Sequence, residues 1–194
     1  MTSELEPPVL LLATPQVLDP FFRQSVVLLV QHSDEGSLGF IINRTTGIRV
    51  AEILDGLEIA WRGDEDEAAF FGGPVQPHLG TVLFHRSADD SITVDNDTVT
   101  ELVPGLLMTQ HVASLTALAA APPGFFRFVL GYSGWAEGQL TKELERNDWL
   151  VAPPSDELLF AAAPDAIWGA ALEGLGIDPE DLGAWASDGA PSVN

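Results

Sequence analysis

The chain contains no cysteine and only one lysine, and these two scarcities exclude several kinds of function. Without cysteine there is no thiol nucleophile, disulfide, zinc–thiolate site or iron–sulfur cluster. Eight basic residues stand against 29 acidic ones, which gives a net charge of −21. Because phosphate backbones are bound mainly by Lys and Arg, direct nucleic-acid binding is disfavoured. We interpret the acidity as a means of solubility; the alternative is an acidic docking surface for a partner protein.

Two targeting signals are also missing from the sequence. No apolar run approaches the roughly 20 residues that a membrane-spanning helix requires, so no membrane association is expected. The first eight residues are acidic and lack the basic start of a secretory signal. We therefore expect a cytoplasmic protein, a compartment in which the lack of disulfides is ordinary.

The length and the apolar content bound the fold. The chain has 194 residues, 46% of them hydrophobic, which suffices for one substantial core. We predict a mobile tail over residues 1–8, a single compact domain over 9–187 and a frayed end over 188–194. Strands come in runs rather than alternating strictly with helices, which predicts an α+β fold with a mixed sheet.

Apolar runs and turn residues predict the individual elements. The predicted strands are 9–13, 25–31, 38–43, 79–85, 92–95, 98–102, 125–130 and 149–152. The predicted helices are 50–57, 109–121, 137–146 and 165–174. Two hairpins are expected, one joining the second and third strands and one around Asn96 and Asp97.

The segment 131–140 has the most unusual composition in the chain. It combines three glycines with Tyr132, Trp135 and Gln139. Because it lies between a predicted strand and a predicted helix, we expect a glycine turn that begins at Gly131. Binding sites are often built at such turns, since the helix start offers free N–H groups.

The candidate catalytic groups form no recognisable set. Ser133 resembles part of a nucleophile elbow, but Trp135 occupies the place of the last glycine and no histidine follows, so a serine hydrolase is disfavoured. The four histidines lack the i, i+4 spacing of a helical metal pair. His32 ends a predicted strand beside acidic residues and is either a turn residue or a ligand-binding one. No catalytic residue, metal ligand or cofactor is predicted.

Polar or glycine features occur at two further places in the chain. Asn43 and Arg44 come directly after an apolar strand. The amide can bind a polar ligand and the guanidinium can bind a carboxylate or phosphate, or the pair simply caps the strand. Gly72 and Gly73 precede Pro74, and they either expose backbone N–H groups to an anion or form a tight turn.

A series of segments, taken in order and spacing, resembles a known family. The segments are LLATP at 11–15, DPFFRQSVVLL at 19–29, His32, Gly36, GFIINR at 39–44, GGPV at 72–75, GYSGW at 131–135, GQL at 138–140, Glu143 and WL at 149–150. The resemblance is to the bacterial YqgE/AlgH family, also called UPF0301 or DUF179, and covers about residues 11–163. Family members commonly have Ala where this chain has Ser133 and often have Pro at the position of Glu137.

The resemblance implies a compact α+β fold whose mixed sheet curls toward a barrel and is flanked by helices. It also implies a bacterial cytosolic protein. It implies no known activity, because the family is described as uncharacterised or, after a link to alginate production, as a proposed transcriptional regulator. It supplies no catalytic residues that could be transferred to this chain.

We hypothesise a non-enzymatic protein that binds a small polar ligand or a protein partner, with a regulatory role linked to transcription. The candidate ligand-binding residues are His32, Asn43, Arg44, Gly72, Gly73, Gly131, Tyr132, Trp135 and Gln139. The alternative is a small-molecule enzyme that uses His32 and carboxylates, with or without a metal ion. Direct regulation by DNA binding is disfavoured, because the sequence shows no basic helix-turn-helix.

Overall fold

A computed structural model of the chain describes residues 5–86 and 94–182. The predicted frayed end at 188–194 and the first four residues of the predicted tail lie outside this part of the chain. The strands are β1 (Val9–Ala13), β2 (Val26–Ser33), β3 (Gly36–Ile41), β4 (Thr45–Arg49), β5 (Ala68–Phe71), β6 (Val75–His85), β7 (Thr100–Val103), β8 (Leu106–Thr109), β9 (Phe126–Ala136) and β10 (Trp149–Ala152). The helices are α1 (Val50–Gly56), α2 (Val112–Ala120), α3 (Gln139–Glu145) and α4 (Ile167–Gly174), with a 3₁₀ turn at Asn96–Thr98 and a π-helical turn at Glu157–Ala161.

The strands form one curled, half-barrel sheet. Eight of them follow the order β10-β1-β2-β3-β9-β6-β8-β7, and β5 joins β4 to β9 beside this path. β5 runs parallel to β9, whereas the other paired strands are antiparallel. The predicted α+β fold with a mixed, curled sheet is confirmed.

The sheet is covered on both faces at β1, which explains why this strand is so apolar. Consecutive residues Leu10, Leu11 and Leu12 point alternately to opposite faces, and all three are fully buried. The helices α1 and α2 cover one apolar cluster, α4 covers another and α3 covers a third. Within residues 5–86 and 94–182, no helix has the length and apolar character to cross a membrane.

The predicted turn at Gly131 is wrong, because β9 continues for six residues beyond the expected end and stops only at Ala136. Burial alternates along this extension, as in an ordinary half-buried strand. Gly131 has φ +70° and separates the residues that pair with β5 from those that pair with β3. Its left-handed conformation therefore lets the strand change neighbours, instead of turning the chain into a helix.

Three other predictions differ from the structure. The expected hairpin around Asn96 is wrong as far as it is described: β7 pairs with β8 across a turn at 104–105, while residues 92 and 93 lie outside the described part. Because β8 occupies 106–109, the predicted helix at 109–121 begins only at Val112. β4 and β5 were not predicted, since β4 is polar and mostly exposed and β5 spans only four residues.

Candidate functional site

Two tryptophans and one carboxylate meet where β9, α3 and β10 come together. Trp135 lies near the end of β9 and Trp149 begins β10, with 6% and 5% of their surfaces exposed. Both indole N–H groups donate to Oε2 of Glu143, each at 2.8 Å. A buried indole needs a hydrogen-bond acceptor, so this shared carboxylate satisfies two rings at once.

The remaining oxygen of Glu143 is also engaged. Gln139 Nε2 donates to Glu143 Oε1 at 2.9 Å, one turn earlier on α3. Gln139 Oε1 in turn accepts from the backbone N–H of Ala136 at 3.0 Å, which ties the end of β9 to the first turn of the helix. The orientation of Glu143 is therefore fixed by three N–H donors from three elements.

The loop that joins β1 to β2, residues 14–25, faces this group and encloses a cleft of about 410 Å³, here called the tryptophan cleft. Its lining residues are Gln16, Val17, Leu18, Asp19, Phe22, Gly134, Trp135, Gln139, Glu143, Arg146, Asp148 and Trp149. Phe22 packs edge-on against Trp149, with ring centroids 5.9 Å apart, and the two indoles are likewise 5.9 Å apart. The cleft thus combines an aromatic wall with carboxylate oxygens.

The charge of the tryptophan cleft is predominantly negative. Asp19, Glu143 and Asp148 contribute three carboxylates, against the single guanidinium of Arg146. That guanidinium is exposed and already paired, since its Nη2 lies 2.7 Å from Asp148 Oδ2. The hydrogen bonds that Arg146 donates to Asp148, and next the negative charge of that carboxylate, raise the pKa of Arg146 above the ordinary value. The cleft is therefore suited to cations rather than anions.

Asn43 and Arg44 do not line the cleft but hold its loop. Asn43 Oδ1 accepts from the N–H of Val26 at 2.8 Å, and Asn43 Nδ2 donates to the carbonyl of Gln24 at 2.9 Å. Arg44 donates from Nη1 to the carbonyl of Pro20 at 2.7 Å and from Nη2 to the carbonyl of Arg23. Burial lowers the pKa of Arg44, and the nearby positive charge of Arg23 lowers it further.

The predicted glycines meet at a close crossing of backbones. The carbonyl of Gly72 accepts from the N–H of Ile41 at 2.9 Å and from Ser133 Oγ at 3.0 Å. A Cβ on Gly73 would lie 2.3 Å from the carbonyl carbon of Tyr132, and one on Gly131 would lie 2.5 Å from the carbonyl oxygen of Gly73.

These glycines allow two chain segments to touch, and none of them lines the tryptophan cleft. Tyr132 is half-buried and packs against the apolar cluster beneath α4. Ser133 is fully buried and donates to a backbone carbonyl, so its hydroxyl is inaccessible to a substrate.

His32 lies one strand away from the tryptophans. It pairs with Ser37 across the β2–β3 hairpin, and Ser37 pairs with Trp135 across β3 and β9. Its Nδ1 is 2.7 Å from Ser37 Oγ, and it does not line the cleft. Within residues 5–86 and 94–182, no three His, Asp or Glu side chains are grouped to hold a metal ion.

A buried cation that was not among the predicted site residues binds the backbone directly before Asn43. Arg127 is 4% exposed, and its Nη1 donates to the carbonyl of Ile42 at 2.6 Å. Its guanidinium lies 3.9 Å above the ring centroid of Phe70. Burial lowers the pKa of Arg127 to about 10.

The structure therefore divides the sequence-predicted residues into three groups. Trp135 and Gln139 line the tryptophan cleft; Asn43 and Arg44 position its loop. The crossing residues and His32 lie outside it. The i, i+4, i+7 spacing of Gln139, Glu143 and Arg146 is consistent with one helical face, but no local sequence pattern indicates the facing wall formed by the loop.

Comparisons with known proteins agree with this fold. The family model described as AlgH-like (DUF179) matches residues 10–180. The chain is 36% identical over 176 residues to a UPF0301 protein of Myxococcus xanthus, covering 90% of this chain and 93% of the relative. It is 37% identical over 182 residues to a UPF0301 protein of Idiomarina loihiensis, again covering 90% and 93%.

Two solved structures share the fold. The solution structure of AlgH from Pseudomonas aeruginosa superposes with a TM-score of 0.74 at 31% identity, covering 100% of this chain and 98% of that one. A crystal structure from Corynebacterium diphtheriae gives a TM-score of 0.73 at 23% identity, covering 94% and 92%, and supports the fold alone. With the matching family model and these relatives, the chain belongs to the AlgH-like family of UPF0301 proteins.

Proposed function

We propose that this protein is a non-enzymatic binding protein whose tryptophan cleft receives a cationic group. The observation that carries the proposal is the carboxylate of Glu143, which three N–H donors hold in a cleft of about 410 Å³. A volume of this size lies within the usual range of ligand pockets, about 300–1,000 Å³. Carboxylates beside aromatic rings are a suitable environment for ammonium or guanidinium groups.

The bonding of Glu143 favours recognition over catalysis. Taking up a proton during a reaction would remove the negative charge that strengthens all three of these hydrogen bonds. Electrostatic attraction of a cation requires no such change. The alternative, an enzyme based on His32, has less support, because that imidazole is bonded to Ser37 and lies outside the cleft.

A regulatory role, if it is linked to transcription, would operate through a ligand or a protein partner. With a net charge of −21, direct contact with the DNA backbone would be strongly repulsive. A cleft that attracts cations is compatible with this net negative charge, because the electrostatic field of the whole protein then draws a cationic ligand toward the cleft.

The test is a titration with two small cations, agmatine and cadaverine, and with succinate as an anionic control. The signals to follow are the indole N–H resonances of Trp135 and Trp149 in a two-dimensional NMR spectrum, since both groups lie in the cleft wall. We expect saturable shifts of these two signals with a cation and none with succinate. Absence of saturable shifts for both cations would contradict the proposal.

Asp19→Asn is the discriminating variant. The N–H of Phe21 donates to Asp19 Oδ1 at 2.8 Å, and an asparagine oxygen can accept the same bond, so the loop should keep its conformation. Removing one negative charge a few ångströms from the cation should weaken binding by about fivefold, or about 1 kcal/mol. Glu145→Gln makes the same change of charge on α3 at a residue outside the cleft lining and should leave affinity nearly unchanged.

A further inference from the structure

The loop that closes the tryptophan cleft exposes two large apolar side chains. Leu18 lines the cleft and yet has 80% of its surface exposed, so it forms the rim. Phe21 is 46% exposed, and one side of it stacks on Phe71 with ring centroids 5.9 Å apart. Two exposed apolar side chains on one loop, of which Leu18 borders the cleft, form a candidate interaction surface.

Polar anchors from distant parts of the chain fix the conformation of this loop. At its start, Gln16 Nε2 donates to the carbonyl of Arg146 at 2.7 Å. In its middle and at its end, Arg44 and Asn43 bind the carbonyls described above. The apolar side chains are therefore held outward in one arrangement, which lowers the entropic cost of binding to them.

The acceptors that remain in the cleft are dispersed over separate side chains. Glu143 already accepts three N–H groups, Asp19 accepts one on Oδ1, and Asp148 accepts Arg146 on Oδ2. A planar guanidinium has five N–H groups that point in different directions, whereas an ammonium is a compact point charge. The arrangement of acceptors therefore favours a guanidinium.

Resting on the proposed function, we infer that the occupant of the cleft is an arginine side chain of a partner protein, flanked in that partner by apolar residues that pack on Leu18 and Phe21. Charge complementarity selects the arginine, because three carboxylates face one paired guanidinium. The rim selects a polypeptide over a free small molecule, because a free cation would leave the apolar side chains of the loop exposed.

The inference is tested with four probes on the full chain: N-acetyl-arginine amide and the capped tripeptides Leu-Arg-Leu, Leu-Lys-Leu and Leu-Gln-Leu. Affinities are measured from the indole N–H shifts of Trp135 and Trp149. The arginine tripeptide should bind at least about tenfold more tightly than N-acetyl-arginine amide, because its leucines bury apolar surface. It should also bind more tightly than the lysine tripeptide, and the glutamine tripeptide should bind weakest.

Variants of the rim separate this inference from the proposed function. Phe21→Ala should reduce the advantage of the tripeptide while leaving N-acetyl-arginine amide unaffected, because Phe21 does not line the cleft. Leu18→Ala changes the cleft lining itself and should weaken the tripeptide by a larger factor than N-acetyl-arginine amide. Leu57→Ala is the matched control and should change neither affinity. Leu57 directly follows α1 and is 53% exposed.

The possible failures are distinguishable. If N-acetyl-arginine amide binds but the tripeptide gains nothing, or the lysine tripeptide binds as tightly, this inference is overturned and the proposed function stands. If none of the four probes shifts the indole signals, both are overturned.

Discussion

Replacing Glu143 with glutamine perturbs the tryptophan cleft with little change of shape. The carboxylate accepts both indole N–H groups on Oε2 and the amide N–H of Gln139 on Oε1. A glutamine side chain offers one oxygen and one NH₂ group. Whichever way it is oriented, its NH₂ meets at least one of these N–H donors, so one or two hydrogen bonds must be lost.

The magnitude follows from the number and kind of bonds. A hydrogen bond to a charged group contributes about 1.5–3 kcal/mol, and a buried donor left without a partner costs about 1–3 kcal/mol. The site is only partly buried on the Gln139 side, where water can replace the lost partner. We therefore expect Glu143→Gln to destabilise the protein by about 1–2 kcal/mol. For a chain of this length that corresponds to a decrease in Tm of about 2–8 °C.

The assay is urea and thermal unfolding followed by far-ultraviolet circular dichroism, with the near-ultraviolet spectrum as a reporter of indole packing. Glu145→Gln is the matched control, because it removes the same charge from an exposed position on the same helix. If Glu143→Gln unfolds within about 0.3 kcal/mol of this control and keeps the wild-type near-ultraviolet spectrum, the carboxylate does not organise the cleft.

Three further changes test other parts of the structure. Gly73→Ala should destabilise the protein by more than about 3 kcal/mol or prevent folding, because the new Cβ would lie 2.3 Å from backbone atoms. Gly47→Ala is the control: a Cβ there meets open space, so this change should cost about 1 kcal/mol in the same urea assay. Arg127→Met should cost about 1–3 kcal/mol, because the carbonyl of Ile42 loses its buried donor, and Arg127→Ala should cost more. Burial raises the pKa of the Glu67 carboxyl group above 4.5, so the folded protein binds the carboxyl proton more tightly than the unfolded chain does. The contribution of Glu67 to the free energy of unfolding therefore falls as pH rises through the raised pKa. Glu67→Gln should remove that decrease in a urea series from about pH 4 to 7, and an unchanged slope would contradict this assignment.

Strands marked by an apolar run were the easiest elements to predict from the sequence. β1 and β10 have the predicted bounds, 9–13 and 149–152, and the strands of the β2–β3 hairpin end within two residues of their predicted limits. The apolar run marks β1 because four of its five residues are buried, and it marks β10 even though Val151 is 40% exposed.

β9 was only half predicted, for a physical reason. Its second half contains two glycines, a tyrosine and a serine, and such residues ordinarily indicate a turn. Here Gly131 marks the point at which β9 changes its neighbouring strand, and Ser133 donates a hydrogen bond to the carbonyl of Gly72. Pairing over such distances in the sequence leaves no local signal.

The cleft was predictable only in part for the same reason. Trp135 and Gln139 were candidates from composition, and the i, i+4 spacing placed Glu143 on the same face as Gln139. The opposite wall, with Asp19 and Phe22, depends on where the loop is anchored. Asn43 and Arg44 were proposed as ligand contacts because of their chemistry, but the structure directs their polar atoms to backbone groups of the loop.

The pairing of β10 with β1 has a consequence for synthesis on the ribosome. β1 is among the first strands to emerge, but its second edge stays open until residues 149–152 have been made. An open edge carrying three consecutive leucines invites aggregation of the nascent chain, and mutual repulsion at a net charge of −21 counteracts it. Trp149 arrives with that closing strand, so the wall of the tryptophan cleft is complete only in molecules whose sheet is complete.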